Sequence, residues 1–150
     1  MDKQTDAVAI LKLYELRREE KMRQARAWYF SDFSPKSAMD IIKLYRDGEQ
    51  MSASFRTVTS YWDMASSLVL NGAIDEKTFL AANSEHVFVY AKVAPFLAEI
   101  RALFNEPEYL IHLEQLVMKM PNIETKLENR RRLFALWSKE EKEISAEKNS

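Results

Sequence analysis

Glycine and proline are scarce in this chain, and their scarcity limits the folds that it can adopt. The 150 residues include only 2 glycines and 4 prolines, whereas the two types make up about 12% of an average protein. Hairpin turns depend on these residues, so a sandwich, a barrel or another hairpin-rich fold is excluded. A glycine-lined phosphate loop and a dinucleotide fingerprint are excluded too, because each needs several glycines within a short span. The sequence therefore predicts an all-α fold.

Apolar residues recur at the spacing of the α-helix, which predicts a single irregular bundle of about six helices. The first predicted helix is long and runs from Asp6 to about Phe30. The second is capped by Ser34 or by Ser37 and ends at Gly48. The third ends at Asn71 and Gly72, a pair that is typical of a left-handed helix stop. These boundaries leave little of the first half of the chain outside helices.

The fourth predicted helix is the longest and begins after Asp75. Pro95 lies inside it, but the apolar seam keeps its phase across the proline, which predicts one helix with a kink at that point. We expect the third and fourth helices to form a central hairpin across residues 71–74. We expect six large side chains in the core: Trp62, Phe55, Phe79, Tyr90, Leu97 and Leu116.

Two further helices and a tail complete the predicted organisation. The fifth helix opens near Pro107 and closes at Pro121, and the sixth covers residues 123–137. The chain beyond that point is charged and nearly free of apolar residues, which predicts disorder. The prediction is one helical domain over residues 1–137 and a charged, disordered C-terminal tail over residues 138–150.

The charge balance restricts the classes of partner. With 22 basic and 23 acidic residues the net charge is -1, so the chain lacks the basic surplus of a dedicated nucleic-acid binder. The longest early apolar run, residues 7–11, is far shorter than the roughly 20 residues that cross a bilayer. We therefore expect no membrane span and, by elimination, a cytoplasmic protein.

His86 is the most informative single residue, because its spacing from Phe79 and Val93 places it on the stripe that faces the core. We favour a structural histidine that is hydrogen-bonded to a neighbour. The alternative is a pocket for a small ligand or a catalytic site, because histidine titrates near neutral pH. The lining of that pocket would be His86, Tyr90, Trp62, Asp63 and Arg56.

Motifs for catalysis and metal binding are missing from the sequence. The chain has no cysteine and only two histidines, and His112 falls on a polar helix face. It also lacks the Glu-x-x-His pairs of a di-iron bundle and the three or four ligands of a zinc site. We therefore predict that the protein is not an enzyme and has no catalytic residue, no metal and no cofactor.

Aromatic residues are concentrated where the first predicted helix ends. These are Trp28, Tyr29, Phe30 and Phe33. They are expected either to close the end of the bundle or to form an exposed anchor for another chain, and core use is favoured. The charged half of the first helix has too thin an apolar stripe to hold it on its own domain. We therefore expect a non-enzymatic interaction or scaffold protein that binds another protein or self-associates through this helix or this group.

Two basic clusters leave weak binding of RNA or phosphate as a further alternative. Acidic residues interrupt the first cluster, which is typical of a solvated helix face. The second cluster consists of three consecutive arginines. They subtend about 200° of a helix, so at least one should face the protein. The clusters are Arg17, Arg18, Lys21, Arg23 and Arg26, and Arg130, Arg131 and Arg132.

Several segments carry a resemblance to a known family. They are residues 13–29 (LYELRREEKMRQARAWY), residues 61–65 (YWDMA), residues 68–75 (LVLNGAID) and residues 90–101 (YAKVAPFLAEIR). They resemble a bacterial family of small helical proteins classed as a domain of unknown function, and the likeness extends from about residue 10 to residue 137. The resemblance implies an all-helical fold and a bacterial origin, and it supplies no activity and no site residue.

Overall fold

The computed structural model describes residues 3–149, except for the side chains at positions 47, 49, 138–143 and 145. Within this range the chain forms nine α-helices, one 3-10 helix and no strand. The α-helices are α1 (Lys3–Arg18), α2 (Glu20–Ser31), α3 (Ala38–Asp47), α4 (Glu49–Leu70), α5 (Glu76–Ala82), α6 (Glu85–Val93), α7 (Leu97–Phe104), α8 (Ile111–Met118) and α9 (Ile123–Lys148). The all-α prediction is confirmed, whereas the predicted count of six is too low.

Helix α4 lies at the centre of the bundle. It packs most extensively against α2 and α8, and it also contacts α3, α5 and α6, while α9 packs against α6. The predicted pairing of the third and fourth helices corresponds to the smaller contacts of α4 with α5 and α6. All six predicted core residues are buried: Trp62, Phe55, Phe79, Tyr90, Leu97 and Leu116.

The long first helix is divided at Glu19, so the prediction of one continuous helix to Phe30 is wrong. Glu19 has an extended backbone and is the N-cap of α2, where its carboxylate accepts a hydrogen bond from the Met22 backbone N–H at 3.3 Å. Glutamate is not among the residues that usually cap helices. The break therefore carried no recognisable signal in the sequence.

The predicted fourth helix is also divided, into α5, α6, a 3-10 helix over Ala94–Phe96 and α7. Asn83 has an extended backbone, and its side-chain amide donates to the Phe79 carbonyl at 3.2 Å. Such a bond competes with helix continuation. Pro95, which lacks a backbone N–H, lies in the 3-10 helix rather than at a kink in an α-helix. The apolar seam keeps its phase, since Leu97 is buried beyond the proline.

Helix ends with a local signal agree with prediction. Ser37 caps α3 by accepting from the Asp40 backbone N–H, and Asp75 caps α5 by accepting from the Thr78 backbone N–H. Gly72 follows α4 with a φ of 86°, as the left-handed stop requires. The start of α8 is later than predicted, because Leu110 has a left-handed φ of 54° immediately before it.

Helix α9 continues to Lys148, past the predicted domain limit at residue 137. The backbone is helical where the charged composition predicts a disordered tail. Glutamate and lysine are common in this segment and have high intrinsic helix propensity, so helix formation there needs little apolar burial. The division into a domain at residues 1–137 and a tail stays a prediction. No helix in the described part of the chain has the length and apolar content needed to span a bilayer.

Candidate functional site

His86 is fully buried on α6, in contact with the rings of Trp62 and Phe79. The ring centroids are 5.9 Å and 5.4 Å from that of His86. Neither imidazole nitrogen has a hydrogen-bond partner among the described residues. Burial, with a smaller effect of the Arg130 charge, lowers the pKa of His86 to about 4. The predicted core position is confirmed, but the predicted hydrogen bond is absent.

The residues proposed to line a pocket around His86 lie in separate places. Trp62 contacts His86 in the core, and the Tyr90 hydroxyl donates to Glu114 Oε2 at 3.2 Å. Asp63 and Arg56 instead line a surface cleft with a volume of about 520 Å³. The five residues are thus divided between the core and this cleft.

Asp63 has a structural partner that the sequence did not indicate. Its Oδ1 accepts a hydrogen bond from the Leu113 backbone N–H in the first turn of α8, at 2.9 Å. The first backbone N–H groups of a helix have no partner within the helix, so this carboxylate on α4 caps α8 from a neighbouring element. The bond fixes α8 against the central helix.

The aromatic group at the end of α2 belongs largely to the core. Tyr29 and Phe33 are buried, while Trp28 and Phe30 are half-buried. The Tyr29 hydroxyl donates to the Val89 carbonyl at 2.6 Å, and burial raises the pKa of Tyr29 well above its usual value. The group therefore closes the end of the bundle, as the favoured interpretation predicts.

Lys92 on α6 holds the aromatic group in place at the C-terminal end of α2. Its ammonium donates to the carbonyls of Tyr29 at 2.5 Å and Phe33 at 2.6 Å, and lies 4.4 Å from the Phe134 ring centroid. These bonds satisfy carbonyls at the C-terminal end of α2 from α6. Burial lowers the pKa of Lys92 to about 8. A single lysine between apolar residues gave no sign of this role in the sequence.

Arg26 and Glu85 form an ion pair that joins α2 to α6. Arg26 Nε lies 3.0 Å from both carboxylate oxygens of Glu85, and its Nη2 lies 2.6 Å from Oε1. The Trp62 indole N–H donates to Oε2 of the same carboxylate at 2.9 Å. The sequence predicts a solvated helix face for the cluster that contains Arg26. This prediction is wrong for Arg26, because its guanidinium is paired with Glu85.

Arg17 has a different environment, although it belongs to the same basic cluster. The central carbon of its guanidinium lies 5.3 Å from the Tyr14 ring centroid and 5.4 Å from that of Trp62. Its Nε is buried without a hydrogen-bond partner, and no described carboxylate lies within ion-pair distance. Arg17 is therefore held by aromatic rings and is not neutralised by an acid of the described chain.

A cleft lies beside Arg17, and the sequence analysis did not predict a site at this place. Its volume is about 300 Å³, and α1, α2, the α5–α6 segment and α9 contribute its walls. The principal side chains that line it are Arg17, Phe30, Asn83, Glu85, Phe88 and Trp137. Because they are up to 120 positions apart, as with Arg17 and Trp137, no local motif could have indicated this site.

Helix α1 turns one apolar face toward the core and another toward solvent. Leu13 is buried, and the Asp6 carboxylate accepts from the Asp75 backbone N–H at 3.1 Å on the packed side. Val8, Leu11 and Tyr14 have exposed fractions of 66%, 60% and 48%. The helix is therefore anchored by one face, while a second apolar stripe is exposed to solvent apart from the contact of Tyr14 with Arg17.

The second basic cluster, in α9, is partly engaged with the protein. Arg131 Nε donates to the Ala91 carbonyl at 3.2 Å, which confirms that one of the three consecutive arginines faces inward. The guanidinium of Arg130 lies 4.1 Å from the Phe88 ring centroid. Within the described residues, no three His, Asp or Glu side chains come together as a metal site requires.

Comparison with models of protein families gives a match over most of the chain. The model of a family described as a domain of unknown function (DUF4760) matches residues 4–120. These residues include helices α2 to α8 and all of α1 except Lys3, and they exclude α9. No curated protein and no solved structure matches the chain.

Proposed function

The chain belongs to the DUF4760 family, and we propose that it is a non-enzymatic interaction protein that self-associates through the exposed face of α1. The observation that carries the proposal is the stripe of Val8, Leu11 and Tyr14, which lies in solvent although the opposite face of the same helix is packed. Covering such a stripe is favourable by about 25 cal/mol for each Å² of apolar surface removed from water.

The spacing of the stripe suits a helix-to-helix contact. Residues three apart lie on the same side of an α-helix, so Val8, Leu11 and Tyr14 form a row. Leu103 and Met118 are also exposed apolar residues, but they lie on different short helices. A row along one helix offers a partner a continuous surface, which isolated apolar residues do not.

The charges around the stripe favour a second copy of this chain as the partner. Lys12 and Glu15 lie on the same helix, are both exposed and form a pair at 3.6 Å. A surface that carries one base and one acid is complementary to itself when a two-fold axis relates two copies. The net charge of -1 adds almost no repulsion between copies.

The positions of the chemically active side chains support a non-enzymatic role. His86 is sealed in the core, where its nitrogens are out of reach of a substrate, and Asp63 is engaged in capping α8. These were the residues on which a catalytic interpretation of the sequence depended. Their structural engagement favours the interaction role.

Sedimentation velocity over a range of protein concentrations tests the proposal. We expect the wild type to shift from monomer to dimer as concentration rises, and Leu11→Glu to stay monomeric because it places a charge in an apolar contact. Leu103→Glu is the matched control, since Leu103 is 57% exposed but lies on α7. It should associate like the wild type, and circular dichroism should show all three proteins equally helical.

A wild type that remains monomeric at the highest concentration would contradict the proposal. Equal loss of association in Leu11→Glu and Leu103→Glu would also contradict it, because the effect would then not depend on α1. Val8→Glu provides a second variant in the same row and should match Leu11→Glu.

A further inference from the structure

The cleft beside Arg17 has a charge pattern that self-association through α1 does not explain. The carboxylate of Glu85 lines it, but both oxygens already accept hydrogen bonds from Arg26, and Trp62 donates to one of them. Glu85 and Arg26 therefore cancel each other's charge. Arg17 has no carboxylate partner among the described residues, which leaves one uncompensated positive charge at the cleft.

The environment of Arg17 makes this charge available to a ligand. Its guanidinium is packed against Tyr14 and Trp62, and its buried Nε has no partner. A buried donor without a partner is unfavourable, and an anion close to the guanidinium offsets part of the cost of burying its charge. Guanidinium groups bind carboxylates through planar, charge-assisted hydrogen bonds.

The rest of the cleft combines aromatic rings with polar side chains. Phe88 and Trp137 stack with their ring centroids 6.0 Å apart, and Phe30 contributes a third ring. Asn83, which is 8% exposed, adds a side chain whose amide nitrogen is already engaged. A volume of about 300 Å³ is at the lower end of the range of small-molecule pockets.

We propose that this cleft binds a small aromatic carboxylate, whose carboxylate contacts the Arg17 guanidinium and whose ring lies against Phe88 and Trp137. A guanidinium without an acid partner favours a carboxylate over an uncharged group, and the aromatic walls favour a flat ring. Arg130, which covers Phe88 at 4.1 Å, adds positive potential from outside the cleft. Arg17 is on α1 and packs against Tyr14 of the exposed stripe, but Leu11 does not line the cleft, so a change at Leu11 separates the two proposals.

Titration of the ¹⁵N-labelled protein with benzoate tests this proposal, with uncharged benzamide as the matched probe. The protein has three tryptophans, whose indole N–H signals report separately on Trp28, Trp62 and Trp137. We expect a saturable shift of the Trp137 signal with benzoate. Benzamide should bind at least about ten-fold more weakly, because it lacks the negative charge that strengthens hydrogen bonds to the guanidinium.

Two variants and a control connect the binding to the cleft. Arg17→Met keeps most of the apolar stem and should weaken benzoate binding about ten-fold, whereas Arg18→Met, at the neighbouring exposed position, should leave it unchanged. If Arg17→Met fails to fold, Ala82→Phe serves instead, because exposed Ala82 lines the cleft and a larger side chain should fill it. Ala82→Phe should abolish the shift.

Three results would overturn the proposal. They are no saturable shift of the Trp137 signal up to the solubility limit of benzoate, equal binding of benzoate and benzamide, and unchanged binding in Ala82→Phe. The titration is repeated in Leu11→Glu, where binding should persist. Failure of self-association and failure of the anion site are therefore distinguished.

Discussion

Individual residues in this protein differ sharply in how their buried polar atoms are satisfied. Glu85 receives bonds from Arg26 and Trp62, whereas His86, the next residue, has none among the described residues. An unsatisfied buried donor or acceptor costs about 1–3 kcal/mol. The unpaired imidazole of His86 therefore makes the core less stable than apolar packing alone would.

His86 should make stability depend on pH in acid. The unfolded chain protonates this histidine near its ordinary pKa of 6.5, while the folded chain does so only near 4. Between these values the unfolded state binds more protons, so the free energy of unfolding falls as the pH falls. The difference corresponds to about 3 kcal/mol. His86→Leu should remove this part of the dependence and be at least as stable as the wild type near neutral pH.

Urea unfolding at several pH values between 4 and 7 measures this effect. His112→Gln is the control, because His112 is exposed, and it should keep the wild-type pH dependence. Equal slopes for the wild type and His86→Leu would show that His86 does not contribute.

Helices in this chain end where the sequence signals an end, and also at places where it does not. Ser37, Asp75 and Gly72 act within a few residues of their own position, so their roles were predictable. Glu19 divides a predicted helix although glutamate rarely caps helices, and Asn83 divides another by donating a side-chain bond to a carbonyl of the preceding helix. Periodicity continues through both breaks, which is why the helices were predicted too long.

The glycine that ends α4 should be sensitive to substitution, whereas the glycine that ends α3 should not. Gly72 has a φ of 86°, so Gly72→Ala should lower the free energy of unfolding by about 1–2 kcal/mol. Gly48 has a φ of -116°, and a Cβ there would lie 3.7 Å from its nearest neighbours. Gly48→Ala should stay within about 0.5 kcal/mol of the wild type or gain stability.

Chemical denaturation of the two glycine variants beside the wild type checks this contrast. A loss in Gly48→Ala as large as that in Gly72→Ala would mean that the left-handed backbone is not the cause. The wild type provides the reference for both.

The whole molecule is organised around α4, and α9 covers α6 from the outside. In α9 the buried apolar residues Ile123, Leu127 and Phe134 all precede position 137. The arrangement of α2 and α8 around α4 depends on contacts between distant segments. Local periodicity identifies which faces are apolar, but it does not identify which face packs against which.

Truncation should separate the packed part of α9 from its extension. A chain of residues 1–137 should retain the wild-type free energy of unfolding within about 0.5 kcal/mol, because the described buried residues remain. A chain of residues 1–122 loses Ile123, Leu127 and Phe134 and should lose more than about 4 kcal/mol. Urea unfolding with circular dichroism distinguishes these outcomes. Destabilisation of the longer fragment comparable to that of the shorter one would refute the predicted domain limit.

The sequence by itself determined the all-α class, the six large core residues and the helix ends that have local caps. These features follow from composition, from periodicity and from interactions within a few residues. None of them depends on which distant segments the fold brings together. Only the tertiary structure decided that Arg26 pairs with Glu85, 59 positions away, and that Lys92 binds the end of α2. It also decided that Arg17 has no such acid within the described part of the chain and borders a cleft, because the partner of a charged side chain depends on which distant segment the fold places beside it.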